Sequence, residues 1–482
     1  MSERPLGDMP PEEFRQLARA TADWIAEFLG QVSGMPVLST ATPGATADAL
    51  PRQPPEQGEE MAAILADFER LILPAITHWN HPGFLAYFAT TASGPGILAE
   101  MLTAAVNPQG MLWRTSPAST ELEQVALDWL WQMMGLPDRC FGMIHDTAST
   151  STLHAMAAAR ESLEDLPIRA RGLSGVPPLV VYASEQAHFS VDKAAITLGL
   201  GLENVRKIEA DAEFRMKPEA LDAAITADLL AGRRPFCVVA TVGTTSTTAI
   251  DPVPAIADIC QRRRLWLHVD AAYGGAAAIV PEMRHVVAGC ERAASLVVNP
   301  HKWLFVPLDL SALYCRSPEI LRRAFSVVPE ILRTPEDQDR RAVNLMEYGM
   351  PLGRRFRALK LWFVLRYFGR AGIVANLREH LRLARQLGER VSASRDFELL
   401  APVVFSTVCF RFRPGGVSDA QLQRLNRSLV ERVNRSGKFF ISHTEIGGKL
   451  TLRVAVGNLR TTQASLEEFW QLLRNKAREL TL

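Results

Sequence analysis

Short and continuously apolar runs recur between residues 94 and 360 of this 482-residue chain, and segments of helical length separate them. The four clearest runs lie at residues 178–183, 236–242, 264–269 and 295–299. A strand with one wet face alternates apolar and polar residues, whereas a continuously apolar strand is covered on both faces. Helices between such strands are the long connections that parallel strands require. The pattern therefore predicts a large α/β domain over residues 94–360, with a mostly parallel sheet.

The length of the chain calls for further domains, because a single hydrophobic core stops growing at roughly 250–300 residues. The pattern changes in residues 361–482, where strands and helices are expected near 405–412, 419–435, 449–456 and 463–479. This region is predicted to be a smaller α+β domain. A basic helix from Arg354 to Phe368 is expected to join the two domains.

Residues 1–93 form a third region, which begins with a helical pattern of apolar residues that includes Phe14, Trp24 and Phe28. A proline-rich stretch follows, which is typical of an extended connector. A second helix is expected at about residues 57–73. The region has little apolar surface for a core of its own, so we expect it to wrap another surface, such as that of a second subunit.

The composition excludes several classes of function. The 53 Lys and Arg and the 52 Asp and Glu give a net charge of +1, which offers no reason to expect nucleic acid or a membrane as a partner. The six cysteines form no C-x-x-C pair, so no zinc site or redox motif is predicted. Neither a secretory leader nor an apolar stretch of about 18 residues is visible. We expect a cytoplasmic protein with reduced thiols.

A lysine follows one of the apolar runs, in the stretch Asn299–Trp303 with the sequence Asn-Pro-His-Lys-Trp. An amine that is shielded at the end of a strand has a lowered pKa, and a free amine is what a Schiff base requires. Taken alone, Lys302 would more often be an ordinary surface lysine.

An aspartate, Asp270, ends another apolar run and is followed by the small residues Ala271 and Ala272. A carboxylate at this point can pair with the pyridine nitrogen of pyridoxal 5'-phosphate (PLP) and keep it protonated, so that the ring accepts electrons. The alternative for Asp270 is a cap on the next helix.

Two further segments fit the same cofactor. The hydroxyl-rich stretch Thr147–Thr152 opens a helical pattern, and free N–H groups at a helix N-terminus bind phosphate, although ordinary capping is the alternative. His188 follows an apolar run and can stack on a cofactor ring, although a lone histidine is more often structural. All four segments follow strands or open a helix, where open α/β sheets bind ligands.

In this order the segments resemble the group II PLP-dependent decarboxylases, close to the aromatic-L-amino-acid decarboxylases. The resemblance begins near Pro10 and continues to the C-terminus. Its most specific motifs are Ser116–Glu121, His268–Tyr273, Asn299–Trp303 and Pro351–Arg357. It implies a fold-type I enzyme with a mostly parallel seven-stranded sheet in the large domain. It also implies a homodimer with shared active sites, which decarboxylates an L-amino acid to the amine and carbon dioxide, and an aromatic amino acid is expected.

The resemblance implies roles for individual residues. Lys302 matches the Schiff-base lysine, Asp270 the partner of the pyridine nitrogen and His188 the stacking residue. The other implied cofactor contacts are Thr147, Ala148, Ser149, Thr245, Ala272, Asn299 and His301. The implied substrate pocket contains Trp79, Tyr87, Phe88, Thr90, Gln109, Met111 and Gly353. No metal is implied, and His78 and His81 match no role.

One catalytic position departs from the family. A mobile loop usually carries a tyrosine that serves in protonating the substrate carbon, and Ile331 stands in its place. Isoleucine cannot donate a proton. Relatives without the hydroxyl can divert the reaction to oxygen and release an aldehyde. Three activities remain open: plain decarboxylation, which is favoured, oxidative deamination to an aldehyde, and PLP binding without turnover.

The pocket residues indicate the substrate in outline. The aromatic residues Trp79, Tyr87 and Phe88 favour an aromatic side chain. Gly353 stands where plant relatives place glycine for indolic substrates and serine for phenolic ones, which favours a tryptophan-like substrate. Gln109 replaces an apolar or aromatic residue of animal relatives, so a reshaped pocket is expected.

Overall fold

The computed structural model describes residues 7–339 and 341–481. Seven strands form its central sheet: β1 (Phe141–His145), β2 (Leu179–Ser184), β3 (Val205–Ile208), β4 (Arg234–Thr241), β5 (Trp266–Asp270), β6 (Ser295–Val298) and β7 (Ser311–Cys315). Their order is β1-β7-β6-β5-β4-β2-β3. Strand β7 is antiparallel to both of its neighbours, and the other pairs are parallel. The predicted mostly parallel seven-stranded sheet is confirmed.

Helices cover the sheet and form the flanking regions. They are α1 (Pro11–Gln31), α2 (Ala45–Ala49), α3 (Met61–Asp67), α4 (Gly94–Val106), α5 (Pro117–Met133), α6 (Ala148–Glu161), α7 (Ile168–Arg171), α8 (Ser190–Thr197), α9 (Pro218–Leu230), α10 (Val253–Arg263), α11 (Pro300–Trp303), α12 (Pro318–Phe325), α13 (Ala358–Ala393), α14 (Asp419–Asn434) and α15 (Gln463–Arg478). Every residue of β2, β5 and β6 is buried, as the continuously apolar runs predict.

A second sheet lies in the C-terminal region. Its strands are β8 (Phe397–Leu399), β9 (Thr407–Phe412), β10 (Ser442–Ile446) and β11 (Lys449–Ala455), in the antiparallel order β10-β11-β9-β8. Helices α14 and α15 pack beside it, and Phe410, Leu452 and Phe469 belong to a hydrophobic cluster of its own. A separate core is the physical mark of a separate domain.

The connecting helix differs from the prediction. Helix α13 begins at Ala358 rather than at Arg354, and it continues to Ala393 across Gly369, whose φ is 57°. Glycine adopts this left-handed conformation at little steric cost, so it breaks the helical path into two segments. Arg354 lies before the helix and is buried, with an ion pair of 2.6 Å to Glu123 of α5.

The N-terminal region lies against the C-terminal domain through short polar contacts. The His81 carbonyl oxygen accepts a hydrogen bond of 3.0 Å from the Asn458 side chain of the C-terminal domain. Within the N-terminal region, the His81 Nδ1 atom accepts the Gly83 N–H at 2.8 Å. Helix α1 contains no buried residue, and Phe14 on it is 61% exposed. Within the described residues, no helix is long and apolar enough to cross a membrane, and no group of three metal-ligating side chains occurs.

Candidate active site

The topology brings the chemically interesting residues to one edge of the large sheet. Strands β2, β4, β5 and β6 are mutually parallel, and β1 shares their direction because β7 is antiparallel to both β1 and β6. Their carboxyl ends therefore meet at the same edge. Thr147, His188, Asp270 and Lys302 each lie at or just after one of these ends.

Lys302 lies in the short helix α11 directly after β6, where its backbone N–H donates to the Asn299 carbonyl at 2.9 Å. Burial lowers the pKa of its amine, and the positive charge of Arg453 lowers that pKa further, while Asp270 opposes the shift. The Nζ atom lies 5.2 Å from the centre of the Phe88 ring. These surroundings favour the neutral amine that can attack a carbonyl carbon.

Asp270 ends β5 and is buried at 6% exposure. Its Oδ1 atom accepts the Ala272 N–H at 3.1 Å, which is a local turn contact. The next helical turn, Gly274–Ile279, has Tyr273 as its N-cap, so Asp270 does not cap it. Among residues 7–339 and 341–481, no cationic side chain lies within ion-pair distance of this carboxylate. A buried carboxylate is costly unless it is paired, so this geometry suits a cationic ligand such as a protonated pyridine nitrogen.

The N-terminus of α6 is rich in polar groups. Thr147 is its N-cap, and the Thr147 Oγ1 atom lies 3.3 Å from the Thr150 hydroxyl and accepts the Thr150 N–H at 3.4 Å. Ala148 and Ser149 form the rest of the first turn, where backbone N–H groups are free of helical partners. The arrangement can hold a phosphate group at the positive end of the helix dipole.

A chain of hydrogen bonds joins this helix to the lysine turn. The hydroxyls of Ser151 and Ser311 lie 2.9 Å apart, and the Ser311 hydroxyl donates to Asn299 Oδ1 at 2.7 Å. The Asn299 Nδ2 atom lies 3.3 Å from His301 Nε2, and burial lowers the pKa of His301 to about 3. The phosphate-binding end of α6 and Lys302 are thus held in a common polar framework.

His188 follows β2 and is half-buried. Its Nδ1 atom accepts the Ser190 N–H at 3.1 Å, and burial lowers its pKa. The ring is therefore neutral at pH 7, and its proton lies on Nε2. The charge of Asp270 raises the pKa of this imidazole and that of Lys302 lowers it.

Arg453 is a site residue that the sequence analysis missed. It lies on β11, it is 4% exposed, and its guanidinium carbon is 4.6 Å from the centre of the Phe88 ring. It donates to the carbonyls of Ser246 at 3.0 Å and Tyr87 at 2.5 Å, while its Nη2 atom has no partner among the described residues. The available signal was a charged residue in the middle of the apolar run Leu452–Val456.

The predicted pocket residues fall into two groups. Phe88 stacks on Tyr273 with ring centres 3.8 Å apart, and Tyr273 stacks on Trp303 at 4.7 Å, next to Lys302. Trp79 and Tyr87 have partly exposed rings 6.1 Å apart. Of the predicted pocket residues, Phe88 contacts the amine, and with Tyr273 and Trp303 it forms a stack of aromatic rings beside it.

The second group lies elsewhere on the chain. Gln109 and Gly353 line a cavity of about 640 Å³. Lys302 does not line this cavity. The Met111 carbonyl oxygen accepts a hydrogen bond of 3.1 Å from the Met346 N–H. Thr90 is half-buried and Thr245 is exposed.

Ile331 is the most exposed of the predicted catalytic residues, at 88%. It lies in a short 3-10 turn, Glu330–Leu332, in the long segment between α12 and α13. Tyr348 does not replace the missing hydroxyl, because its ring packs on Phe141 at 4.6 Å and belongs to the core. The described loop therefore presents an apolar side chain where the family usually has a phenol.

The residues present fit PLP on three counts. An amine with a lowered pKa is available at Lys302, an unpaired buried carboxylate at Asp270, and an anion-binding helix end at Thr147. PLP needs these three groups for its aldehyde, its ring nitrogen and its phosphate, respectively.

Comparisons with known proteins agree with this geometry. The model of the pyridoxal-dependent decarboxylase conserved domain matches residues 43–413. The chain is 39% identical to tyrosine decarboxylase 2 of Narcissus pseudonarcissus, over 98% of this chain and 96% of that protein. It is 38% identical to phenylacetaldehyde synthase of Arabidopsis thaliana, over 98% and 97%. The crystal structure of Oryza sativa TDC with PLP and tryptamine superposes with a TM-score of 0.95 at 35% identity, covering 99% of this chain and 100% of that one.

Proposed function

Because the chain belongs to the pyridoxal-dependent decarboxylase family, and is thereby a PLP-dependent carboxy-lyase, we propose that it decarboxylates an aromatic L-amino acid to the amine and carbon dioxide. The observation that carries the proposal is the amine of Lys302, with its lowered pKa, at the same sheet edge as the unpaired carboxylate of Asp270. The neutral amine can hold the cofactor covalently, and the negative carboxylate can tune its ring for decarboxylation.

Each residue of the site has a separate task. PLP, when bound, supplies an electron sink for the electrons that remain when carbon dioxide leaves. Asp270 would hold the pyridine nitrogen in its protonated form, and the N-terminus of α6 would hold the phosphate. Lys302 would hold the cofactor covalently and release it to the substrate amine. Its lowered pKa keeps that amine able to attack again after each cycle.

The remaining side chains control water and protons. The stacked rings of Phe88, Tyr273 and Trp303 cover one side of the lysine and keep water away from it. His188 presents its Nε2–H, because Nδ1 is engaged by the Ser190 N–H. A neutral imidazole with a fixed donor can orient a bound group without adding charge to the site.

An aromatic substrate is supported by the pocket and by the relatives. Phe88 offers aromatic surface near the amine, Trp79 and Tyr87 offer partly exposed rings in the same N-terminal segment, and stacked aromatic pairs contribute beyond simple burial. The similar proteins are named for tyrosine or for an arylacetaldehyde product. The most direct test is incubation with tryptophan, tyrosine, phenylalanine and dopa, with carbon dioxide, amine, aldehyde and peroxide all measured. Turnover of none of these, but of an acidic amino acid, would contradict the proposal.

A second outcome, oxidative deamination to an aldehyde, is favoured by one observation. Ile331 occupies the loop position of the family's phenol and is 88% exposed, so the loop offers no proton there. A carbanionic carbon that is protonated slowly stays available to oxygen for longer. In that case carbon dioxide, ammonia and hydrogen peroxide would accompany the aldehyde, with molecular oxygen as the oxidant.

The substitution Ile331→Tyr tests which outcome applies. We expect it to raise the amine yield and to lower any aldehyde and peroxide, since the phenol restores a proton donor. The control is Ile331→Phe, which adds the ring without the hydroxyl and should leave the product ratio as in the wild type. Product ratios are measured in air and under nitrogen. A wild type that gives amine alone in both atmospheres would eliminate the aldehyde route and leave Ile331 as a packing residue of the loop.

We further propose that the active protein is a homodimer with shared sites. Helix α4 presents four exposed apolar side chains, Leu98, Met101, Leu102 and Val106. No residue of helix α1 is fully buried within its own chain. Gln109 and Gly353 line a cavity that does not include Lys302, and a second copy can bring its own pocket residues to the site. Exposed apolar surface of this extent marks an interaction site.

Charge placed on the α4 face should separate the copies. We expect Leu102→Asp to shift the protein from dimer to monomer in sedimentation velocity, because an unpaired carboxylate at an apolar contact is costly. Turnover should fall with the dimer fraction. The matched control is Leu230→Asp, which alters a side chain that is 86% exposed on α9. A wild type that is an active monomer at assay concentration would contradict the proposal.

A further inference from the structure

Residues 349–354 form a segment that is called the strap here. It lies beside the turn that is proposed to hold the cofactor phosphate. That phosphate turn comprises residues 146–150 and joins β1 to α6. Met350 and Leu352 at the middle of the strap are 76% and 52% exposed. Both ends of the strap, in contrast, are attached to buried polar groups. The strap also carries Gly353, a residue of the predicted substrate pocket.

The first attachment is His154, which is 1% exposed in the second turn of α6. Its Nδ1 atom lies 2.7 Å from the Thr150 carbonyl oxygen, which only accepts hydrogen bonds, so Nδ1 carries the proton. The Nε2 atom is then an acceptor, and it receives the Met350 N–H at 3.0 Å. One imidazole thus bridges the last residue of the phosphate turn and the strap.

The strap packs closely against buried side chains at Gly349. A Cβ atom on Gly349 would lie 3.2 Å from His154 Nε2, 3.4 Å from His145 Cε1 and 3.0 Å from Met143 Cε. The rings of His145 and His154 lie 4.1 Å apart, and burial lowers the pKa of His154 to about 4. The bridge is therefore a neutral imidazole, which can donate at one nitrogen while it accepts at the other.

The second attachment holds the other end of the strap to strand β1, two residues before the phosphate turn. The Arg354 Nη2 atom donates to Glu123 Oε1 at 2.6 Å and to the Ile144 carbonyl at 3.1 Å. The same Glu123 oxygen accepts the Ile144 N–H at 2.8 Å. The strap is therefore attached at Ile144, before the phosphate turn, and through His154 at Thr150, the last residue of that turn.

We propose that His154 is a positioning residue that couples occupancy of the phosphate turn to the conformation of the strap, and through it to the substrate pocket. The inference rests on the proposed function, since it takes residues 146–150 as the phosphate site. Phosphate binding orders the turn and with it the Thr150 carbonyl, which fixes the imidazole that holds Met350. Coupling of this kind is reciprocal, so an ordered strap also strengthens cofactor binding by the same factor.

Amide hydrogen exchange, followed by mass spectrometry on apo and PLP-loaded protein, tests the coupling. In the wild type we expect PLP to slow exchange in residues 349–354. In His154→Asn, whose short amide reaches the Nδ1 position but not Met350, exchange at Met350 should be roughly tenfold faster and should no longer respond to PLP. In His154→Gln, whose longer amide places a carbonyl near the Nε2 position, the response should return. Gly349→Ala disturbs the contact between His154 and Met350 from the side of the strap, and it should show the same faster exchange without a response to PLP as His154→Asn.

The outcomes separate this inference from the function on which it rests. If borohydride still traps PLP on Lys302 but the wild-type strap shows no response to PLP, the coupling is wrong and the proposed function stands. If PLP is not trapped on Lys302 at all, the proposed function fails first. An Asn variant that exchanges faster throughout, including the buried strand β4, would show His154 to be a structural residue only, and would overturn its positioning role.

Discussion

Replacing Lys302 with alanine is expected to abolish covalent capture of PLP and to reduce turnover by about 10³-fold or more, as expected when a covalent group is removed. Burial and the charge of Arg453 lower the pKa of the Lys302 amine, while Asp270 opposes the shift, and the lowered pKa leaves the amine free to react. Without it, borohydride reduction should leave no pyridoxyl group on the chain, and the absorbance of bound PLP should resemble that of the free aldehyde. Peptide mapping after reduction identifies the modified residue.

Two other lysines make the test specific. Lys360 is 2% exposed and burial also lowers its pKa, but it forms an ion pair of 2.5 Å with Glu100, which holds it as a cation. Lys193 lies near the site, with its Nζ 4.7 Å from the Phe189 ring centre. Lys193→Ala should therefore retain both capture and turnover. A pyridoxyl group mapped to Lys360 or Lys193 in the wild type would refute the assignment of Lys302.

The parts of the fold that could be predicted are those in which a local pattern has one physical meaning. Continuously apolar runs mark strands that are covered on both faces, and all four predicted runs are strands β2, β4, β5 and β6. Strand β10 was not predicted, because its residues are mostly polar and partly exposed. Strands β3 and β8 are too short, at four and three residues, to show a period.

The site could be predicted only where residues follow the strands in a fixed order. Thr147, His188, Asp270 and Lys302 all lie at one sheet edge, because parallel topology brings strand ends together. Arg453 could not be found in this way, since it comes from the other domain and its position depends on how the two domains pack. Gln109 and Gly353 share a cavity away from Lys302, which a linear motif does not reveal.

The substitution Asp270→Asn should leave PLP capture intact and reduce turnover by roughly 10²–10³-fold, the effect of removing one preorganised electrostatic contact. The amide has the shape of the carboxylate and can still accept the Ala272 N–H, so the local fold should persist. What disappears is the negative charge that keeps a pyridine nitrogen protonated and thereby makes the cofactor an electron acceptor.

Removing this charge should widen the pH range in which Lys302 is trapped while it lowers turnover, and this combination makes the experiment decisive. Asp270 raises the pKa of Lys302, so its removal should lower that pKa further and keep the amine neutral to more acidic pH. Borohydride trapping at Lys302 should therefore extend to lower pH in the variant while turnover falls at every pH. The matched control is Asp146→Asn, an isosteric loss of charge at the first residue of the phosphate turn, where the Thr147 N–H donates to Asp146 Oδ1 at 2.7 Å. It should change cofactor affinity modestly without the steep loss of turnover. Near-normal turnover in Asp270→Asn would exclude this carboxylate as the partner of the cofactor ring.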